Sequence, residues 1–118
     1  MSVNRGDVVL VDAPFVTRPG SKIRPLLVVE ADVNNTRMAN SILAMITSNT
    51  RRSGEPTQVL IDVSTPRGQL SGLLHDSVVS CENLLTFRQS RIIRTIGSLP
   101  PDLMNEVNDA LKASLELP

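Results

Sequence analysis

Short runs of apolar and β-branched residues recur along most of the chain, and polar or turn-forming segments separate them. Runs of this length and composition are typical of strands that are buried on one or both faces. The six candidate strands are residues 6–12, 25–30, 41–47, 57–63, 76–82 and 91–97. The pattern therefore predicts a mainly β protein.

The spacing of the apolar positions changes near the carboxyl end. Apolar residues there recur at every fourth position, at Leu103, Val107, Leu111 and Leu115. This spacing places them on one face of a helix. Pro100-Pro101 supplies a helix start, and Asp102 lies where a helix dipole favours an acid. We expect a helix of about four turns that packs on short, curling strands, which together would form a small, partly open barrel.

Two of the predicted connections carry positive charge. Residues 13–24 contain proline, glycine and serine and would make a long loop between the first two strands, while residues 49–54 contain Arg51 and Arg52. Long loops often carry function. A third, polar connection covers residues 34–40.

The chain has 118 residues, which fits one domain spanning residues 1–118. Its apolar content comes from Val, Leu and Ile, because there are two Phe and neither Trp nor Tyr. The single cysteine, Cys81, cannot form an internal disulfide, and neither a signal peptide nor a membrane-spanning run is visible. We expect a soluble, cytoplasmic protein with an aliphatic core and no membrane contact.

Charge is unevenly distributed although the net charge is zero. Residues 1–52 carry seven Arg or Lys against four acids, whereas residues 98–118 carry one Lys against four acids. Such a chain could present a basic face to an anionic partner while the acidic helix faces elsewhere. The alternative is an ordinary solvated surface.

Motifs for metal or cofactor chemistry are missing from the sequence. It has no glycine-rich phosphate loop, no His-Glu-x-x-His and no paired cysteines. We therefore expect neither a metal nor a cofactor. Cys81 is expected in the core. The one histidine, His75, is either a solvated loop residue or a phosphate contact and proton carrier.

A set of ordered short motifs resembles the MazF/PemK toxins of bacterial toxin–antitoxin systems. The chain opens with Arg5-Gly6-Asp7, has a loop that ends in Arg24-Pro25, and has a strand that ends in Thr47 before a polar loop. The resemblance continues through residues 56–59, 76–82 and 91–99 to the terminal helix. Each piece is weak alone, but their order and spacing cover essentially the whole chain.

This resemblance implies a fold, an activity and partners. The fold would be an SH3-like, partly open barrel of the CcdB/PemK type, paired as a homodimer. The activity would be sequence-selective, metal-independent cleavage of single-stranded RNA by the ribose 2′-hydroxyl, which leaves a 2′,3′-cyclic phosphate and a 5′-hydroxyl. The acidic C-terminal tail of a cognate antitoxin would block the site.

The family's catalytic Arg and Thr match Arg24 and Thr47, and Glu82 lies where relatives commonly have a carboxylate. Some relatives have Arg-Cys-Asp where this chain has Ser80-Cys81-Glu82, and the arginine of that motif takes part in their catalysis. Because this chain has a serine there, catalysis must depend on Arg24. Glu82 and His75 both remain candidates for the general base. The candidate RNA-binding residues are Phe15, Lys22, Ser48, Asn49, Arg51, Arg52 and His75. Phe15 could stack on a base or could pack in the core.

Two binding modules are the competing interpretations. A CcdB-like toxin uses the same barrel to poison DNA gyrase by contact. In that group a tryptophan near the chain end helps to make the contact with gyrase, and this chain has no tryptophan. A peptide-binding SH3-like domain needs an aromatic groove, for which two Phe are too few.

Overall fold

Residues 2–118, which a computed structural model describes, form six strands, three helices and a short 3₁₀ turn. The strands are β1 (Asp7–Pro14), β2 (Ser21–Val28), β3 (Asn40–Thr47), β4 (Gln58–Ile61), β5 (Ser77–Arg88) and β6 (Arg94–Ser98). The helices are α1 (Asp32–Arg37), α2 (Pro66–Gln69) and α3 (Pro101–Leu115), and the 3₁₀ turn covers Gln89–Arg91. None of these helices is long and apolar enough to cross a membrane.

All six strands belong to one antiparallel sheet in the order β4-β5-β3-β2-β1-β6. The sheet curls into a half-barrel, and α3 lies against β4 and β5. Strand β6, near the end of the chain, pairs with β1 near its beginning. The expected partly open barrel with a terminal helix is confirmed.

The two faces of the sheet have separate cores, because successive strand residues point to opposite faces. Val8 and Leu27 pack under α3 against Leu103 and Val107, in a cluster that also contains Cys81. Alternate strand residues such as Leu26 form a second cluster on the other face. Both clusters are built from aliphatic side chains, as the composition predicts. The margin of the second one holds Phe87.

Some boundaries differ from the sequence-based expectation. The loop predicted over residues 13–24 is shorter, since β1 runs to Pro14 and β2 already begins at Ser21. The Phe15 N–H donates to the Gly20 carbonyl (3.0 Å), so the connection is a compact turn. Gly20 has a φ of +100°, which favours glycine there. The polar connection at residues 34–40 contains most of helix α1.

Strand β5 is longer than predicted and contains a wide bulge. Ala44 of β3 pairs with Leu84, but the next residue, Met45, pairs with Ser80. Residues 81–83 therefore have no counterpart on β3, and an insertion of this kind bends the strand and redirects its side chains. Glu82 lies in the middle of this bulge.

The segment after α2 packs unusually closely against β6. A Cβ atom on Gly72 would overlap the Ile96 carbonyl oxygen, and one on Gly97 would overlap the Leu70 carbonyl oxygen. The Ser98 N–H donates to the same Leu70 carbonyl (2.9 Å). Glycine at both positions lets the two backbones touch, which fixes residues 72–75 beside the last strand.

Candidate functional site

A cavity of about 700 Å³ opens at the end of the sheet where β2 and β3 stop pairing. Four segments supply most of its lining: residues 22–25 of β2, residues 46–48 at the end of β3, residues 72–75 before β5, and residues 94–96 of β6. Leu10 and Phe15 contribute from β1 and its turn. The cavity thus joins parts of the chain that are far apart in sequence.

All permanent charges among the lining residues are positive. Lys22, Arg24 and Arg94 line the cavity, and no Asp or Glu does so. Neither Lys22 nor Arg94 forms a salt bridge within residues 2–118. Like charges without a counter-charge repel one another, so this concentration of cations favours an anionic ligand.

Arg24 is the best-defined cation of the three. Its Nη2 donates to the Ile46 carbonyl (2.7 Å), which fixes the guanidinium against the end of β3. Its Nε is buried and has no hydrogen-bond partner in the described part of the chain. Partial burial lowers the pKa of Arg24, although an arginine still stays protonated at neutral pH. A partly desolvated cation interacts with an anion more strongly than one in water.

Thr47 follows Ile46 at the end of β3, beside Arg24. The β2–β3 register ends at Leu26 and Met45, and extending it by two residues would place Arg24 opposite Thr47. The Asn49 N–H donates to Thr47 Oγ1 (3.2 Å). This bond orients the hydroxyl oxygen but does not use its proton, so Thr47 can donate a hydrogen bond into the cavity.

Phe15 reaches the cavity from the β1–β2 turn and is half-buried. The guanidinium of Arg18 lies 4.1 Å from the ring centroid. This cation–π contact covers one face of the ring and holds it in place. Phe15 therefore lies at the site and not inside either core cluster.

His75 is an exposed residue in the loop that forms one wall of the cavity. Leu73 of the same loop packs against the core under α3, and the Ser77 hydroxyl donates to the His75 carbonyl (2.9 Å). The neighbouring Asp76 carboxylate accepts a hydrogen bond from the Val63 N–H (2.9 Å). The imidazole is thus presented by a loop that is anchored on both sides.

Glu82 does not line the cavity. Its Oε1 accepts hydrogen bonds from Arg52 Nη2 (2.6 Å), Gln58 Nε2 (2.7 Å) and Thr57 Oγ1 (2.9 Å). These hydrogen bonds lower the pKa of Glu82, and the bond from Arg52 has the largest effect. Arg52 also pairs with Glu55 (2.7 Å), so its charge is neutralised locally. In the β3–β5 register Ser80 lies opposite Met45, so Glu82 lies away from the cavity end of β3 and beside Gln58 of β4.

The remaining sequence-predicted residues divide between the cavity and its surroundings. Lys22 and Ser48 line it together with Arg24, Thr47, Phe15 and His75. Asn49, Arg51 and Arg52 do not. Asn49 shapes the loop instead, because its Oδ1 accepts a hydrogen bond from the Arg51 N–H (3.2 Å).

Arg94 is the site residue that the sequence did not reveal. It lies on β6 and reaches the cavity because β6 pairs with β1, where Leu10 stands between Pro25 on one side and Arg94 on the other. Strand spacing puts the backbones of β2 and β6 about 10 Å apart across β1. The only sequence signal was a pair of arginines, Arg91 and Arg94, in the last candidate strand.

A half-barrel with a terminal helix, and a cavity whose only permanent charges are positive, define a small β protein with a candidate anion-binding site. Residues 4–115 match the family described as PemK-like, MazF-like toxin of type II toxin-antitoxin system. The chain belongs to this toxin family. Within residues 2–118 there is no cluster of three or more His, Cys, Asp or Glu that could hold a metal ion.

Characterised relatives cover nearly the whole chain. Endoribonuclease EndoA of Bacillus subtilis is 34% identical over 118 residues, covering 99% of this chain and 97% of the relative. Endoribonuclease MazF6 of Mycobacterium tuberculosis is 33% identical over 120 residues, covering 99% and 100%. A mycobacterial endoribonuclease solved in complex with its cognate antitoxin superposes with a TM-score of 0.78 at 25% identity, covering 99% and 98%.

Proposed function

We propose that this chain is a toxin that cleaves single-stranded RNA sequence-selectively and without a metal ion, leaving 2′,3′-cyclic phosphate and 5′-hydroxyl ends. The observation that carries the proposal is that Arg24 and Thr47 both line a cavity whose only permanent charges are positive, at the end of the β2–β3 pairing. The endoribonuclease names of the relatives support it.

The proposed chemistry needs an anion-stabilising site more than it needs a strong nucleophile. The ribose 2′-hydroxyl loses its proton to a base, and its oxygen attacks the adjacent phosphorus while negative charge develops on the non-bridging oxygens. The bond to the 5′-oxygen then breaks, and that oxygen takes up a proton from water to give the 5′-hydroxyl. Arg24 is held against Ile46 and can neutralise that charge, while the Thr47 hydroxyl donates to one of the oxygens. DNA lacks the 2′-hydroxyl and is not a substrate.

His75 is the better candidate for the base that removes the 2′-hydroxyl proton. It carries the only imidazole among the described residues that line the cavity, and imidazole is the side chain that acts most often as a general base. Glu82 is the alternative, but it lies outside the cavity and already accepts three hydrogen bonds. Those bonds make it a weaker base.

Neighbouring groups would hold the rest of the RNA strand. Lys22 and Arg94 can bind phosphates on either side of the scissile one. The ring of Phe15 can stack on a base with the face that Arg18 leaves open. Ser48 can contact a base edge or a phosphate, while Asn49, Arg51 and Arg52 would meet RNA only beyond the cavity.

We further propose that the protein acts in the cytoplasm as a homodimer and is inhibited by an acidic antitoxin tail. The family resemblance supports the dimer, and the strongly exposed Ile23 and Leu74 beside the cavity are apolar groups that a second chain could cover. An acidic peptide suits the same cations as RNA. Light scattering should give twice the 12.8 kDa of one chain, and a monomer at micromolar concentration would overturn this assembly.

Cleavage of a long unstructured RNA in EDTA tests the activity, with primer extension to map the cuts and analysis of the end groups. Arg24→Ala and Thr47→Ala should each lower the rate by about 10²-fold or more, whereas Thr47→Ser should retain more activity. Arg91→Ala, an exposed arginine outside the cavity, is the matched control. RNA left uncut by folded wild-type protein would refute the nuclease, and cleavage restored by Mg²⁺ alone would refute its metal independence.

A further inference from the structure

Pro25 lies in a strand that has neighbours on both sides, where proline is normally excluded because it has no N–H to donate. It pairs with Leu10 of β1. On the side that faces β3, the β2–β3 pairing ends at Leu26 and Met45 and does not include Pro25. The proline therefore stands where the two strands begin to separate and the cavity begins.

The direction of the missing hydrogen bond follows from the alternation of the ladder. The Val29 N–H donates to the Ile42 carbonyl (3.0 Å), so every second residue of this part of the chain directs its backbone groups across the β2–β3 pair. Counting back from Val29, residue 25 is directed at β3. If the antiparallel register is continued by one pair beyond Leu26 and Met45, residue 25 lies opposite Ile46.

The Ile46 carbonyl would thus accept a ladder hydrogen bond from residue 25 if that residue had an N–H. Proline cannot supply it, and the Arg24 guanidinium donates to this carbonyl instead (2.7 Å). A second effect acts in the same direction, since the residue before a proline is restricted to extended backbone. Arg24 is therefore kept in strand geometry while its side chain turns towards β3.

We propose that Pro25 is a positioning residue that reserves the Ile46 carbonyl as the anchor for Arg24. An N–H at position 25 would continue the ladder by one pair and compete with the guanidinium for the carbonyl. The backbone bond has the advantage, because it forms without the entropy cost of fixing a long side chain. Arg24 would lose its anchor at Ile46, and the cavity would narrow where Thr47 lies opposite Arg24. The effect on cleavage rests on the proposed nuclease function.

Pro25→Ala tests this directly, with Pro19→Ala in the exposed β1–β2 turn as the control. We expect Pro25→Ala to lower the single-turnover rate at saturating RNA by about tenfold to a hundredfold, with little change in melting temperature. Replacing Pro25 with lactic acid, which also has no N–H, should keep the wild-type rate. In the Arg24→Ala background, Pro25→Ala should change the rate by less than about twofold.

A measurement without RNA separates this proposal from the nuclease itself. In Pro25→Ala, the new amide of residue 25 should exchange slowly with solvent, as a hydrogen-bonded amide does. Fast exchange, an unchanged rate, equal loss with alanine and lactic acid, or an undiminished effect in the Arg24→Ala background would each overturn the role of Pro25. A wild-type protein that binds and cuts no RNA would refute the proposed function, whatever the exchange of that amide shows.

Discussion

Gly72→Ala should uncouple one wall of the cavity from the sheet. Gly72 has a φ of +73°, and an alanine held in such left-handed backbone costs about 1–2 kcal/mol. Its Cβ would also overlap the Ile96 carbonyl oxygen, and because this obstacle is backbone, relief requires movement of the loop or of β6. Forced overpacking costs about 1–3 kcal/mol, so the total is about 2–5 kcal/mol.

Thermal unfolding measures this loss, which corresponds to a decrease in melting temperature of roughly 10–20 °C for a chain of this size. Gly54→Ala is the matched control, because its Cβ would meet nothing within 4 Å. The cleavage rate of Gly72→Ala should also fall at temperatures where the variant remains folded, since His75 moves with the loop. A melting temperature equal to that of Gly54→Ala would refute the reasoning from close backbone contact.

Three further outcomes are expected. His75→Ala should lower the cleavage rate by about 10²-fold or more while Glu82→Gln cleaves normally, and the reverse result would assign the base to Glu82. Arg94→Gln should reduce the slope of log affinity against log salt by about 0.7 for an RNA with a 2′-deoxy residue at the cut site, with Arg91→Gln as control; equal slopes would remove Arg94 from the RNA path. Burial raises the pKa of the Cys81 thiol to about 11, so iodoacetamide at pH 8 should label it only after unfolding, and rapid labelling of the native protein would contradict its place in the core.

The elements with a clear hydrophobic period could be predicted from the sequence. All six strands and helix α3 were expected, because burial of alternate or fourth residues leaves a direct mark on the order of apolar residues. The bounds were less exact, since β2 begins four residues before its predicted start and β5 runs six residues beyond its predicted end. Arg24 and Thr47 could be selected only through the family resemblance. Their meeting at one cavity depends on the β2–β3 register, which no local pattern records.

Other features depend on contacts that periodicity does not encode. Glu82 was expected at the site, but the strand register places it beside β4, where it bonds with Gln58 and Arg52. Arg94 was overlooked because only the pairing of β1 with β6 brings it to the cavity. Helix α1 has one buried residue, Asn35, whose amide donates to the Glu30 carbonyl (3.0 Å), so it has no apolar stripe to reveal it.

The pairing of β1 with β6 has a consequence for synthesis of the protein on the ribosome. Chains are made from the amino end at about 5–20 residues per second. Strand β1 therefore emerges first and can pair with β2 early, whereas its other neighbour, β6, is made near the end of the chain. Until residues 94–98 emerge, the growing chain holds Arg24 and Thr47 but lacks the strand that completes the cavity. If cleavage requires the complete cavity, each chain would gain its proposed activity only after residues 94–98 have emerged and β6 has paired with β1.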